Sequence, residues 1–357
     1  MSAGLPNEGR SVERPTTMGS ITTFPTPTRA SMAIPAPSRS KIVSATIATL
    51  SLRPPPSFFQ PLCHPDVEAV SHEVDTYFLH HWPFESEKAR QKFVAAGFSR
   101  VTCLYFPKSL DDRIHFACRL LTLLFLIDDL LENMSFEDGS EYNERLIPIM
   151  RGDAEPDRDV PVEYITWDLW ESMRAHDRDL ADDIVEPVTL FMRAQTDRAR
   201  AKPLGLGEYF EYRERDVGKA LLSALMRFSM GLRLSTYELS SMRHIDANCS
   251  KHISVINDIY SYEKELYSSH VAHEEGGVLC TSVRTLAQEA NIDVQATKRV
   301  LFFMCREWEI IHQEMEEELR ASGKVSEAAL AYVKGLEYQM SGNELWSRTT
   351  LRYSVVG

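Results

Sequence analysis

The sequence predicts an all-α protein, a bundle of helices around a central apolar cavity, and three observations carry that expectation. From Pro65 onward, apolar residues recur at three- and four-residue spacing in segments closed by short breakers. Neither a period-two alternation, nor a strand-helix-strand order, nor an internal repeat interrupts them. Third, the run Leu120 to Ile127 is too apolar for a surface and leads directly into Asp128, Asp129 and Glu132. Such a run belongs in a core, where an ionised carboxylate is costly unless a cation compensates it.

Composition sets the outer bounds. The 357 residues, 43% of them hydrophobic, suffice for a sizeable core. A net charge of −13 argues against nucleic acid or an anionic membrane surface as the main partner. No uncharged apolar stretch approaches the roughly 18 residues of a membrane span, so no membrane insertion is expected and the protein should be soluble. The six cysteines form no CxxC and read as reduced core residues, which points to the cytoplasm.

Residues 1–56 are rich in Ser, Thr and Pro and carry only Glu8 and Glu13 as acids, so disorder is expected there. Arg29, Arg39, Lys41 and Arg53 give them a flavour of a transit peptide, but the prolines break any amphipathic helix. A single helical domain is expected over 57–357. Its first helix follows Pro65 and Asp66, with Val67, Val70, Val74 and Phe78 on one face. Helices over 85–96 and 101–106 follow, then a long central one capped by Ser109 and running to about Met134. The series continues over 139–150, 162–201, 207–230, 236–269, 280–290, 294–321 and 325–347.

In a helix, four residues advance about 6 Å and turn about 40° past a full rotation, so Asp128 and Glu132 share a face with Asp129 beside them. Oxygen ligands on one stripe suit a hard divalent ion such as Mg²⁺, which tolerates a phosphate-bearing substrate in its shell. Asp182, Asp183 and Glu186 have the same spacing within a mixed-charge run that reads as a solvated face. Context separates the two triads; spacing does not. A second stripe, Asn257, Ser261 and Glu265, steps by four, and helical side chains lean toward the N-terminus, so all three can reach one ion. Lys264 lies on that stripe as well. A lysine beside a divalent ion repels it, by about 4 kcal/mol per unit charge at 4 Å and an effective dielectric of 20, unless an anion lies between. A diphosphate reconciles them. Arg213, Arg352 and Tyr353 are further candidate donors to phosphate oxygens.

With both stripes and the Arg352-Tyr353 pair, the chain from about Pro61 resembles a class I terpene synthase. The resemblance implies that Asp128 binds two of three Mg²⁺ ions, for which Mn²⁺ can substitute, and that Asn257, Ser261 and Glu265 bind the third; Asp129 and Glu132 take lesser parts. It implies that Arg213, Lys264, Arg352 and Tyr353 hold the diphosphate of farnesyl diphosphate, and that Phe125, Phe191 and Trp346 line a pocket for carbocations, with Phe98 and Tyr105 nearby. Ionisation, cyclisation through a germacrene and shifts to a bicyclic sesquiterpene are the implied chemistry. Ser268 to Gly277 is the expected lid, and released diphosphate the expected proton carrier. Some relatives form dimers or tetramers. Two alternatives stay open: a chain-elongating prenyl transferase, which typically carries an Asp-rich second motif, and a non-catalytic helical binding protein.

Overall fold

The computed structural model describes residues 55–202 and 205–354. The disorder expected over residues 1–56 falls, but for Pro55 and Pro56, outside the described residues.

Among the described residues there are thirteen α-helices, two 3-10 turns and no strand. The helices are α1 Val67–His81, α2 Glu87–Ala96, α3 Phe98–Tyr105, α4 Ile114–Leu131, α5 Phe136–Arg151, α6 Pro161–Gln195, α7 Leu206–Asp216, α8 Lys219–Met230, α9 Thr236–Ser241, α10 Arg243–Val271, α11 Ser282–Ala290, α12 Val294–Ser322 and α13 Glu327–Thr349. The 3-10 turns are Arg198–Ala201 and Leu351–Tyr353.

Helix α4 is apolar on all sides, with Leu120, Leu121, Leu123, Leu124, Leu126 and Ile127 all buried, as a helix enclosed by others must be. α3 and α6 pack against it, α8 packs along α6, and α10 lies against both α12 and α13. α3 and α13 meet backbone to backbone: a Cβ on Gly342 would stand 2.5 Å from the Leu104 carbonyl oxygen, so only glycine permits this contact. Helices α4, α6, α8, α10 and α13 thereby enclose the cavity that the sequence pattern called for.

Four expected elements differ in detail, each for a local reason. Ser109 does not cap the central helix, which starts at Ile114. Its hydroxyl donates instead to the Ser229 carbonyl (3.1 Å), and Arg113 donates to the Phe228 carbonyl (2.9 Å), pinning the preceding loop to the end of α8. The helix expected over 162–201 bends at Asp177, whose backbone leaves helical values. There its carboxylate accepts from the Leu180 amide and pairs with Arg113 and Arg233, so it caps the second half. The helix expected over 207–230 breaks at Gly218 in the left-handed region (φ +71°), where a Cβ would crowd Phe191. The helix expected over 236–269 splits at Met242 and runs on to Val271, so of the segment expected as a lid Ser268 to Val271 are helical and only the part from Ala272 is loop.

Candidate active site

One cavity, about 190 Å³, gathers the functional side chains. Leu121, Leu124, Phe125, Phe191, Leu221 and Trp346 give it an apolar wall. Its other end is polar: Asp128 and Glu132 from α4, Arg213 from α7, Asn257, Ser261, Lys264 and Glu265 from α10, and Arg352 and Tyr353 from the last 3-10 turn. Of the candidate metal, diphosphate and pocket residues named from the sequence, only Asp129 and Phe98 are not in its lining.

The carboxylates on α4, half-buried with side-chain exposures of 36, 43 and 25%, have cationic company. Arg352 bridges Asp129 through two nitrogens (2.8 and 2.9 Å) and reaches Asp128 at 3.3 Å, while Lys264 donates to Glu132. Asp128, Asp129 and Glu132 each place an oxygen within 4.8 Å of the others. Burial, opposed by Arg352 and reinforced by Glu132 and Asp129, raises the Asp128 carboxyl above its ordinary range. At Asp129 burial acts the same way, but Arg352 outweighs it and the carboxyl falls below that range. The two neighbours differ because Asp129 holds the arginine on both oxygens, whereas Asp128 turns one oxygen to Gln195, whose Nε2 donates at 2.8 Å.

On α10, Arg213 donates to Asn257 Oδ1 (2.8 Å), and Asn257 Nδ2 donates to the Tyr353 hydroxyl (2.7 Å). The Ser261 hydroxyl donates to Glu265 at 2.5 Å. Burial and the nearby Asp258 push the Glu265 carboxyl up to about 7, against the pull of Arg213, Ser261 and Lys264. Oxygen donors from a carboxylate, an amide and a hydroxyl on one stripe, facing further carboxylates across a cavity, fit hard divalent ions.

The aromatic wall is a connected set. Phe98 stacks on Phe125 (4.6 Å between centroids, 11°), Phe125 meets Trp346 at 5.8 Å and Trp346 meets Tyr353 at 5.5 Å. Phe98 supports Phe125 from behind and does not itself line the cavity, whereas Tyr105 does, its hydroxyl donating to Asn343 (2.8 Å). The loop after α10 closes one side. His273 N donates to the Glu132 carbonyl (3.3 Å), Glu275 accepts from the Phe136 amide (2.8 Å), and a Cβ on Gly276 would lie 2.2 Å from the Leu131 carbonyl. The loop after α10 and the end of α4 are therefore in direct backbone contact.

Four participants carried little sequence signal. Gln195 ends α6 and positions Asp128. Asp216 and Asp258, both buried, anchor Arg213, and Asp258 also accepts from Tyr209 (2.5 Å) and from the Ser282 amide (2.8 Å) and hydroxyl (2.6 Å). Arg200 reaches the cavity from the 3-10 turn after α6. Only Asp258 could have been suspected, as an acid inside an apolar stretch of α10; the others sit among ordinary surface-like residues.

Fold and site together define a class I terpene synthase: an α-helical cavity with an acidic, cation-laced end and an aromatic wall. The family model described as "Terpene synthase family 2, C-terminal metal binding" matches residues 119–309. An aristolochene synthase of Aspergillus terreus is 74% identical over 309 residues, 87% of this chain and 97% of that one, and a (+)-aristolochene synthase of Penicillium expansum is 69% identical over 302 residues, 85% and 91% of the two chains. The crystal structure of aristolochene synthase from Penicillium roqueforti superposes with a TM-score of 0.76 at 62% identity, covering 84% of this chain and all of that one. The chain belongs to terpene synthase family 2. No described helix is long and apolar enough to cross a membrane.

Proposed function

We propose that the protein is a Mg²⁺-dependent sesquiterpene cyclase that ionises farnesyl diphosphate and closes the resulting cation to aristolochene, releasing diphosphate. The observation that carries this is the convergence of both oxygen stripes and four phosphate-type donors on one end of an otherwise apolar cavity. The product is taken from relatives 60–74% identical over most of the chain.

In this reading Asp128, with lesser parts for Asp129 and Glu132, faces Asn257, Ser261 and Glu265 around three Mg²⁺ ions. Mg²⁺ held there would supply the positive charge that departure of the diphosphate from the allylic carbon needs in place of a strong acid. Arg213, Lys264, Arg352 and Tyr353 donate to diphosphate oxygens. Each already touches an acid or amide of the same site, so a diphosphate competes with Asp129, Glu132 and Asn257 for their hydrogen bonds. Preorganised donors aimed at the leaving oxygens stabilise charge where it develops.

The chain left behind is a cation in a dry pocket. Phe125, Phe191 and Trp346 offer ring faces, each worth about 0.5 to 2 kcal/mol to a cation and more when water is absent. The lid at Gly276 and Gly277 keeps water out, which would otherwise quench the cation to an alcohol. Among the lining residues Asp and Glu are confined to the polar end and His does not occur, so diphosphate itself is assigned the proton transfers. A cytoplasmic setting belongs to the same reading: all six cysteines are free, as a reducing compartment favours.

Incubation of the purified protein with farnesyl diphosphate and Mg²⁺, followed by gas chromatography, tests this. Aristolochene and one equivalent of diphosphate are expected. A different hydrocarbon would replace the product, a longer diphosphate formed with isopentenyl diphosphate would favour an elongating transferase, and absence of diphosphate release would overturn the enzyme reading.

A further inference from the structure

A second cavity, about 160 Å³, lies behind the loop that follows α10. Arg200 and Lys202 from the turn after α6, and Cys280, Thr281, Arg284 and Thr285 at the start of α11, are among its lining. Three cations and no carboxylate line it, in a chain whose net charge is −13. Arg200 has one acid partner, Asp216 at 3.6 Å, and among the described residues Lys202 and Arg284 have none; like charges so weakly compensated repel one another, which is a cost unless an anion is there to be bound.

The local geometry adds to this bias. Thr281 is the N-cap of the nine-residue α11, so the positive end of that helix faces the same space. Arg200 is only partly satisfied: Nη1 donates to the Gln195 carbonyl (3.1 Å) and stands 3.6 Å from Asp216, while its buried Nε has no protein acceptor. Arg284 donates to the Leu279 carbonyl (3.2 Å), which ties it to the loop, and among the described residues Lys202 makes no ion pair. Arg200 and Val278 also line the first cavity, so the two spaces share a wall with a guanidinium in it.

We propose that this second cavity is a binding site for inorganic diphosphate, and that Arg200 passes the diphosphate released in the first cavity into it. The hand-over rests on the reading of the first cavity as a farnesyl diphosphate site; the anion binding does not. The contrast between the cavities supports a relay. In the first, the cations are held by Asp128, Asp129, Glu132 and Asn257, so diphosphate binding there depends on divalent metal to take over those acids. In the second, only Arg200 has an acid partner, Asp216 at 3.6 Å, and Lys202 and Arg284 are left for an anion, so diphosphate binds without metal.

Calorimetric titration of the full chain with sodium diphosphate in EDTA, repeated in excess Mg²⁺, separates the two sites. One site per chain is expected in EDTA and two in Mg²⁺. The double variant Lys202→Met, Arg284→Met, both exposed positions, should weaken the metal-independent site at least tenfold while its circular dichroism stays as in the parent; Lys202→Arg, Arg284→Lys, which keeps both charges, should retain it. No binding in EDTA, or binding in EDTA that the double methionine variant leaves unchanged, would overturn the proposal. Rapid-mixing measurement of diphosphate release then tests the hand-over: release at least twofold slower in the double methionine variant supports it, and an unchanged rate overturns it. A chain that binds diphosphate in EDTA through these residues yet turns over no farnesyl diphosphate would refute the reading of the first cavity and leave the second site standing.

Discussion

Two triads of identical spacing, Asp128-Asp129-Glu132 on α4 and Asp182-Asp183-Glu186 on α6, end in opposite circumstances. Each acid of the second lies at the surface, with side-chain exposures of 47, 52 and 73%, and has its own arginine: Arg174 to Asp182 (2.7 Å), Arg227 to Asp183 (2.7 Å) and Arg151 to Glu186 (2.6 Å). The first triad shares two cations, Arg352 and Lys264, which come from distant parts of the chain and themselves line the cavity. Pairs whose acid stays largely in solvent contribute about 0 to 1 kcal/mol each. Carboxylates of the first kind are held by cations that the proposed diphosphate would claim, which would leave their oxygens open to metal. The difference lies in the apolar run that precedes Asp128, not in the acids.

The comparison breaks most visibly at the paired aspartates. Asp128→Asn keeps the shape of the side chain and removes its charge, so turnover of labelled farnesyl diphosphate should fall at least about a hundredfold, the scale expected when a metal-held leaving-group clamp is lost. Turnover near normal would count against Asp128 as a ligand. Next in size is Gly276→Ala, which forces a methyl into the Leu131 carbonyl of the motif helix. A loss of about tenfold in turnover is expected, with terpene alcohols appearing as water enters; an unchanged product profile would separate lid from site.

Glu265 sharpens the contrast through pH. Its folded value, about 7, is above its ordinary 4.5, so the metal-free fold holds a proton that the unfolded chain releases. Stability of the metal-free protein should therefore decline as pH rises from about 4.5 to 7, by up to about 1.4 kcal/mol per pH unit if the group acts alone. Metal requires the ionised form, so apparent Mg²⁺ affinity should rise over the upper part of the same window and level off above it. Melting curves with and without Mg²⁺ and diphosphate check both signs, and Glu265→Gln should flatten both. The smallest effect belongs to Asp182→Asn: turnover within about twofold and stability within about 1 kcal/mol. A loss as deep as that at Asp128 would mean that the wrong triad was assigned.

The sequence made much of this site legible because its chemistry is periodic. Asn257, Ser261, Lys264 and Glu265 fall on one stripe by helical arithmetic, and the greasy run before Asp128 announces an acid at the edge of the core. Helix breaks were less readable. Gly218 and Met242 interrupt patterns that remain apolar across the break, and Asp177 bends α6 because arginines from two other segments meet there, which no local window contains. Ser109 was misassigned for the same reason: its partner, Ser229, is 120 positions away. Gln195 and Arg200 escaped because their roles depend on tertiary placement alone, at the end of α6 and in the turn after it.

The central claim is that the α4 and α10 stripes face one shared set of metal ions around a diphosphate, and the α6 triad does not. Counting bound Mn²⁺ by electron paramagnetic resonance, with saturating diphosphate, tests it most directly. Three ions per chain are predicted for the parent and for Asp182→Asn, with two lost in Asp128→Asn and one in Asn257→Leu. An equal count in the parent and Asp128→Asn, or ions lost in Asp182→Asn, would contradict it.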